Sequence, residues 1–296
     1  MERPPVEGVK ADDMQPAERP DAPGGVYLCQ VDERVSCGAC CGLYNLADAS
    51  RENLEFLLAR RTEAFSLLPR DPDAITEFQV RMERGDPRPR PFPDFYHCPF
   101  LGFIGPKRLT VGCLLHPLAA GNGGVDYRGL SFYGGLACRS YFCPTYRGLP
   151  AEAKRIVKEL AGDWYRYGLI VTEERLLRGF FAAAERRLGR PLTRADLAAH
   201  PGARQAVAEF LELKLTWPFR GPGWKGPGHY FFNDGGHLRP EIDYAAAGGA
   251  PSAFDLLLRE LGGFFRSAAE LRAAEEMIER LIARATAVEP RAAAVL

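Results

Sequence analysis

Three cysteines fall within five residues in the stretch Ser36-Cys37-Gly38-Ala39-Cys40-Cys41-Gly42. Cys98-Pro99-Phe100-Leu101 follows, then Gly112-Cys113-Leu114-Leu115-His116-Pro117, then Cys138-Arg139-Ser140-Tyr141-Phe142-Cys143-Pro144. Cys29 lies just upstream, so all eight thiols sit in the first half of the chain. Clustered thiols of this kind are most economically used as metal ligands, because a bound metal favours the thiolate over the thiol. Cys37 and Cys40 have the two-residue spacing that delivers two sulfurs to one ion. Adjacent side chains usually project in divergent directions, so Cys40 and Cys41 are not expected together on a single zinc ion. Four thiolates saturate a tetrahedral zinc. The surplus calls for a second ion, a cluster or spare reactive thiols. Cys98-Pro99 and Cys143-Pro144 carry the Cys-Pro pair of bacterial ferredoxin ligand runs, which leans toward iron. His97 and His116 lie beside or near thiols, and a hydrogen-bonded structural role is favoured for each.

The four motifs, in their order, resemble the YkgJ-type cysteine-cluster family, whose expected role is zinc or iron chelation. The resemblance spans roughly residues 29 to 147 and says nothing of residues 150 to 296. It implies Cys37, Cys40, Cys41, Cys98, Cys113 and Cys138 as metal ligands. Where that family usually has a further cysteine, this chain has Arg34, and Cys29 or Cys143 is the substitute. The expected donor set is therefore Cys37, Cys40, Cys41, Cys98, Cys113, Cys138 and Cys143. The expected cofactor is zinc or iron, a 4Fe-4S cluster included. Flagellin lysine methylases look like relatives of that family, which implies an iron–sulfur group-transfer enzyme as an alternative.

Lysine plus arginine equals aspartate plus glutamate, so the formal net charge is zero. That disfavours a polyanionic partner, and nucleic-acid binding is not expected. No run approaches eighteen apolar residues, so no spanning helix and no membrane role are expected. Residues 1–24 are rich in proline and acid, lack a secretory signal pattern, and are expected to be disordered. The expected location is the cytoplasm, where thiols stay reduced.

The elements that must position the thiols follow from pattern. Val26 to Val31 alternates in part and predicts a short strand. The Cys37–Cys41 stretch predicts a loop entering a helical turn. Asp48 or Ser50 is the cap of a helix running to about Leu68, with Leu54, Leu57, Leu58, Phe65 and Leu68 on one side. Asp73 is the expected cap of a second helix ending at Gly85. Prolines alternate through residues 85 to 97 and predict an extended connector that delivers Cys98. Two apolar runs around Gly105-Pro106-Lys107-Arg108 predict a β-hairpin. Residues 120 to 135 read as glycine-rich loop.

Beyond Pro150 the pattern turns helical: Ala151 to Tyr167, Thr172 to Leu188, a short helix from Thr193, Gly202 to Trp217, Phe254 to Leu261 and Phe264 to Ala285. Residues 218 to 228 read as a hinge, and His229 to His237 as a hairpin across Asn233-Asp234-Gly235-Gly236. The acidic pairs Glu173/Glu174 and Glu275/Glu276 lie on arginine-rich amphipathic helices and read as solvated faces. Trp164, Tyr165 and Tyr167 read as core. A thioredoxin-type use of Cys37 and Cys40 would need a βαβ pattern, which is not visible.

These readings converge on an α+β fold. Residues 1–24 form an N-terminal tail, 25–148 a cysteine-rich metal-binding unit of short strands, loops and helices, and 149–296 a mainly helical part. The expected function is metal binding. Beside the group-transfer alternative stands a non-catalytic one, in which the metal staples loops and the helical part binds a protein partner.

Overall fold

A computed structural model describes residues 22–288 apart from 33, 86–89, 94, 106, 222–238 and 240. The architecture is α+β and mostly helical, with one two-stranded antiparallel sheet among the described residues. It divides into two compact units, one ending at Phe142 and the other beginning at Cys143. The hairpin expected at 229–237 and most of the hinge at 218–228 lie outside the described residues.

The first unit is built on α1 (Arg51–Ser66) and α2 (Pro72–Arg84) against a hairpin of β1 (Leu101–Ile104) and β2 (Thr110–Cys113). Ser50 caps α1 by accepting from the Asn53 N–H. Leu54, Leu57, Leu58, Arg61, Thr62 and Phe65 are buried along one face, at the spacing a helix requires. Thr62 Oγ1 meets β1 by accepting the Phe103 N–H at 2.7 Å.

The cap of α2 is Asp71 rather than Asp73: its carboxylate accepts from the Ala74 N–H at 2.9 Å. Pro72 occupies the first helical position, where a missing N–H costs nothing, and this moves the cap upstream. Phe65, Phe78 and Phe100 form the aromatic centre of the core, with Phe78 stacked on Phe100 at 5.7 Å. Cys98 belongs to that core, and Cys41 and Cys113 pack against it.

The strand expected at Val26–Val31 does not form. The Asp32 carboxylate accepts the N–H groups of Arg34 and Val35, turning the chain back so that only Gln30 bridges Ser36. The presumed loop at 120–135 is also more ordered than its glycines suggest. It contains a 3-10 turn (Arg128–Leu130) and runs into α3 (Gly134–Ser140), which buries none of its residues.

The regular elements of the second unit are all helices among its described residues. It comprises α4 (Thr145–Gly148), α5 (Ala151–Leu160), α6 (Trp164–Val171), α7 (Glu174–Leu188), α8 (Arg194–Ala199), α9 (Pro201–Thr216), α10 (Asp255–Glu260) and α11 (Ala268–Ala285). The single helix expected over Ala151 to Tyr167 is two. Gly162 takes φ +86°, which only glycine adopts freely, and Asp163 caps the new start by accepting from the Tyr165 and Arg166 N–H groups. A full capping box of Thr193 and Asp196 starts α8. The last helix begins at Ala268, capped by Ser267, and not at Phe264, whose N–H is bonded to the Phe219 carbonyl. The unit's core joins α11 to α9 and α7, and α10 to α7. Trp164, Tyr165 and Tyr167 are buried, as read from the sequence.

Candidate metal centre

Backbone pairing brings the thiol segments together. The turn Ala39–Cys41 is a single 3-10 turn closed by Gly42 in the left-handed region at φ +78°. A side chain at Gly42 would place its Cβ 2.3 Å from the Tyr96 carbonyl oxygen, so glycine is needed for the two segments to touch. One residue away the Cys98 N–H donates to the Cys41 carbonyl at 2.8 Å. The hairpin register pairs Leu101 with Cys113, and the Leu114 N–H donates to the Phe100 carbonyl at 2.8 Å. Cys113 is thereby carried to the strand that follows Cys98. The Tyr127 N–H donates to the Leu115 carbonyl, folding the next segment back alongside. Ser131 Oγ then lies 3.5 Å from Cys138 Sγ on α3.

Five thiols from these segments act on one another electrostatically. Cys41 is influenced by Cys40, Cys98 and Cys113, Cys98 by Cys113 and Cys138, and Cys113 by Cys138. A hydrogen bond from Cys41 lowers the pKa of Cys40, and the same bond, with burial, holds Cys41 well above the ordinary thiol value. Burial, then the charge of Cys113, pushes Cys98 up strongly; burial pushes Cys113 up to about 11. Cys41, Cys98 and Cys113 are thus desolvated sulfurs held toward the thiol form, which a bound cation would reverse.

Cys37 is fixed at the edge of the same unit. Its N–H donates to the Cys29 carbonyl at 2.8 Å, and neighbouring Ser36 accepts the Val111 N–H from β2 at 2.9 Å. Cys143 is buried at the start of the second unit, where its charge acts on Lys154.

Both histidines near the thiols are engaged by protein groups. Arg61 Nη2 stands 2.8 Å from His97 Nε2, and His97 Nδ1 stands 2.7 Å from the Gly42 carbonyl. An arginine can only donate, so Nε2 is the acceptor and the proton sits on Nδ1. His97 is therefore a neutral structural ring. His116 Nδ1 accepts the Leu118 N–H at 3.2 Å.

Three groups near the thiols escape a reading by spacing. Tyr133 is acted on by Cys41, Cys98, Cys40 and Cys138, with burial the main cause of its raised pKa. Arg128 faces Cys113 and Cys138 while its fork holds both Asp126 oxygens at 2.8 Å, a bond that lowers Asp126 to about 2. Arg61, 3 % exposed, carries a buried positive charge. The sequence did contain a signal for Arg61, because it falls in step with Leu54, Leu57, Leu58 and Phe65 on the apolar face of α1.

Among the described residues, no three histidine, cysteine, aspartate or glutamate side chains are arranged to hold a metal ion. Protonated thiols attract one another weakly, and nothing draws them to the spacing of roughly 4 Å that sulfurs at about 2.3 Å from one ion adopt. The donor chemistry nonetheless fits a soft, thiolate-rich centre, with thiols from four segments within electrostatic reach of one another and both nearby imidazoles occupied.

The second unit holds a different chemical cluster. Glu173, read above as part of a solvated face, is only 2 % exposed. It pairs with Lys214 and accepts from Arg239 at 3.0 Å, and Glu260 pairs with Arg175 at 2.9 Å. The solvated-face reading fails at Glu173 because its partners arrive from distant parts of the chain. It stands at Glu276, which is exposed.

No protein-family model, curated protein or solved structure matches the chain. The YkgJ-type resemblance accordingly stands on the cysteine motifs alone.

Proposed function

We propose that this chain is a metal-binding protein whose first unit holds zinc or an iron–sulfur cluster on thiolates drawn from Cys37, Cys40, Cys41, Cys98, Cys113 and Cys138. The observation that carries this reading is the mutual electrostatic influence of five thiols from four separate segments, three of which, Cys41, Cys98 and Cys113, share one apolar core. Free buried cysteines that serve only as small apolar groups have no reason to gather in this way. The YkgJ-type resemblance supports the same donors.

The role we infer for the metal is structural. The segment carrying Cys138 is a seven-residue helix that buries none of its residues. It has little apolar surface with which to hold itself in place, and a metal bond would supply that hold. A reducing compartment such as the cytoplasm suits such a centre.

Anaerobic purification followed by an absorption spectrum and metal analysis tests the proposal. Colourless protein with stoichiometric zinc, or brown protein with iron and sulfide, is expected. In Cys98→Ser combined with Cys113→Ser that metal should be lost. A parent protein that arrives metal-free, and takes up neither Zn(II) nor iron with sulfide, would rule the reading out.

A further inference from the structure

Cys138 sits on α3, a helix with no buried residue, so its sulfur needs a hold from outside that helix. Ser131, itself buried, supplies one: its Oγ lies 3.5 Å from Cys138 Sγ. The chain between the two is folded back on itself. The Gly134 N–H donates to the Ser131 carbonyl at 3.0 Å, and Gly134 takes φ +72° as α3 begins. A Cβ at Gly135 would come 3.3 Å from the Gly129 nitrogen, so the start of α3 lies against the 3-10 turn that Ser131 closes. A neighbouring tether, Arg139 to Asp126 at 3.7 Å, has its arginine 58 % exposed and counts for little.

A serine hydroxyl has one hydrogen and two lone pairs. In Ser131 that hydrogen goes to the Arg128 carbonyl at 2.8 Å, which leaves the oxygen to accept from the Cys138 S–H. The Arg128 carbonyl also receives the Ser131 N–H at 3.2 Å, so it keeps a donor when the hydroxyl turns away. We propose that Ser131 is a positioning residue of the thiol site, whose hydroxyl holds the Cys138 sulfur in the free protein and turns to donate to it once Cys138 binds metal. The S–H proton leaves to water. The exchange gives up a neutral S–H···O contact and one of two donors to the Arg128 carbonyl. It gains an O–H···S bond to an ionised acceptor, which is the stronger kind. Outer bonds of this sort fix the ligands of metal sites. The inference rests on the metal reading above.

A serine that bonds a carbonyl three residues back also closes turns with no ligand involved. Anaerobic Co(II) titration of the full chain, read by the sulfur-to-cobalt absorption and followed by competition with Zn(II), separates the two roles. Ser131→Ala removes the hydroxyl and Ser131→Thr keeps it. In Ser131→Ala the band should move to longer wavelength and Zn(II) should bind about tenfold more weakly. Ser131→Thr should keep the parental band. Added to Cys138→Ser, Ser131→Ala should cost no further affinity. An unmoved band in Ser131→Ala, a shift shared by Ser131→Thr, or the same loss with and without the Cys138 sulfur would overturn the proposal and leave the metal reading standing. Should Ser131→Ala fail to fold, Ser131→Gly removes the same hydroxyl and is read in the same way. A parent that takes iron with sulfide in place of Co(II) is read by its reduction potential, which hydrogen bonds to sulfur help set. That potential should fall in Ser131→Ala, and an unchanged value would overturn the proposal. A parent that binds neither Co(II) nor Zn(II), and takes up no iron with sulfide, would sink the metal reading and this inference with it.

Discussion

Both units bury groups that proteins usually leave in water, and they treat them in opposite ways. The helical unit buries Glu173, Lys214, Arg239 and Glu260 and satisfies each charge with another from its own chain. The cysteine unit buries thiols whose pKa values are raised by burial and by one another. Like charges in one place repel, so those sulfurs can ionise together only with an added cation. The helical cluster is closed by its own charges; the thiol cluster, on the reading proposed above, is completed by a metal. A buried polar group therefore points to an external ligand only when its own neighbours fail to complete it.

The largest expected separation between the units comes from metal. Loading should stabilise the cysteine unit by on the order of 10 kcal/mol, the scale of structural zinc in small domains. Hydrogen exchange on metal-free and metal-loaded protein should show protection gained in the hairpin, the 37–42 turn and α3, with α7, α9 and α11 little changed. Equal gains in both units would show one cooperative body and dissolve the contrast.

The converse perturbation is Glu173→Gln. It strands the buried cations of Lys214 and Arg239, and removal of one partner from such a cluster costs about 3–5 kcal/mol. Trp164 and Trp217 are buried in the helical unit, so urea denaturation followed by tryptophan fluorescence reads it directly. A lowered midpoint with unchanged metal content is expected. Lost metal content would mean that the two units are energetically coupled.

Alkaline pH sharpens the contrast. Burial lowers Lys214 from 10.5 to about 8, with Arg239 and Arg220 adding to the effect and Glu173 opposing it. The folded-state value lies below the unfolded one, so the unfolded chain binds more protons between them. Stability of the helical unit should then rise from pH 8 toward 10.5, by up to about 3 kcal/mol. Burial lowers Arg220 to about 10, a change of the same sign. The same fluorescence midpoint measured at pH 8 and at pH 10 checks the slope. Lys214→Met should flatten it, and an unchanged slope in that variant would acquit Lys214.

The smallest effect is expected from Gly42→Ala. Its φ of +78° costs a side chain about 1–2 kcal/mol, and the new Cβ meets the Tyr96 backbone. The total should be about 2 kcal/mol or somewhat more in the cysteine unit. Because the 40–41 and 97–98 segments are forced apart, metal affinity should fall as well. A variant as stable and as metal-competent as the parent would show that this contact does not hold the thiols together.

The sequence by itself determined the local features: the order of the thiol motifs, the hairpin around Gly105, the start of α1 near Asp48 or Ser50 and the helical character beyond Pro150. Each is set by residues within a few positions of one another, through side-chain spacing, backbone φ or a capping oxygen. It placed boundaries less well where a local competitor existed, as at Gly162, which splits a helix, and at Asp32, which folds a would-be strand into a turn. Only the tertiary structure decided which side chains meet. The sequence favours a hydrogen-bonded role for His97, but its partner is not legible there: Arg61, 36 positions away, donates to its Nε2. Glu173 looked solvated until Lys214 and Arg239 closed over it from 41 and 66 positions away. The physical reason is the same in both cases. A polar side chain's role is set by the partner that satisfies it, and partners brought together by folding leave no periodicity in the sequence.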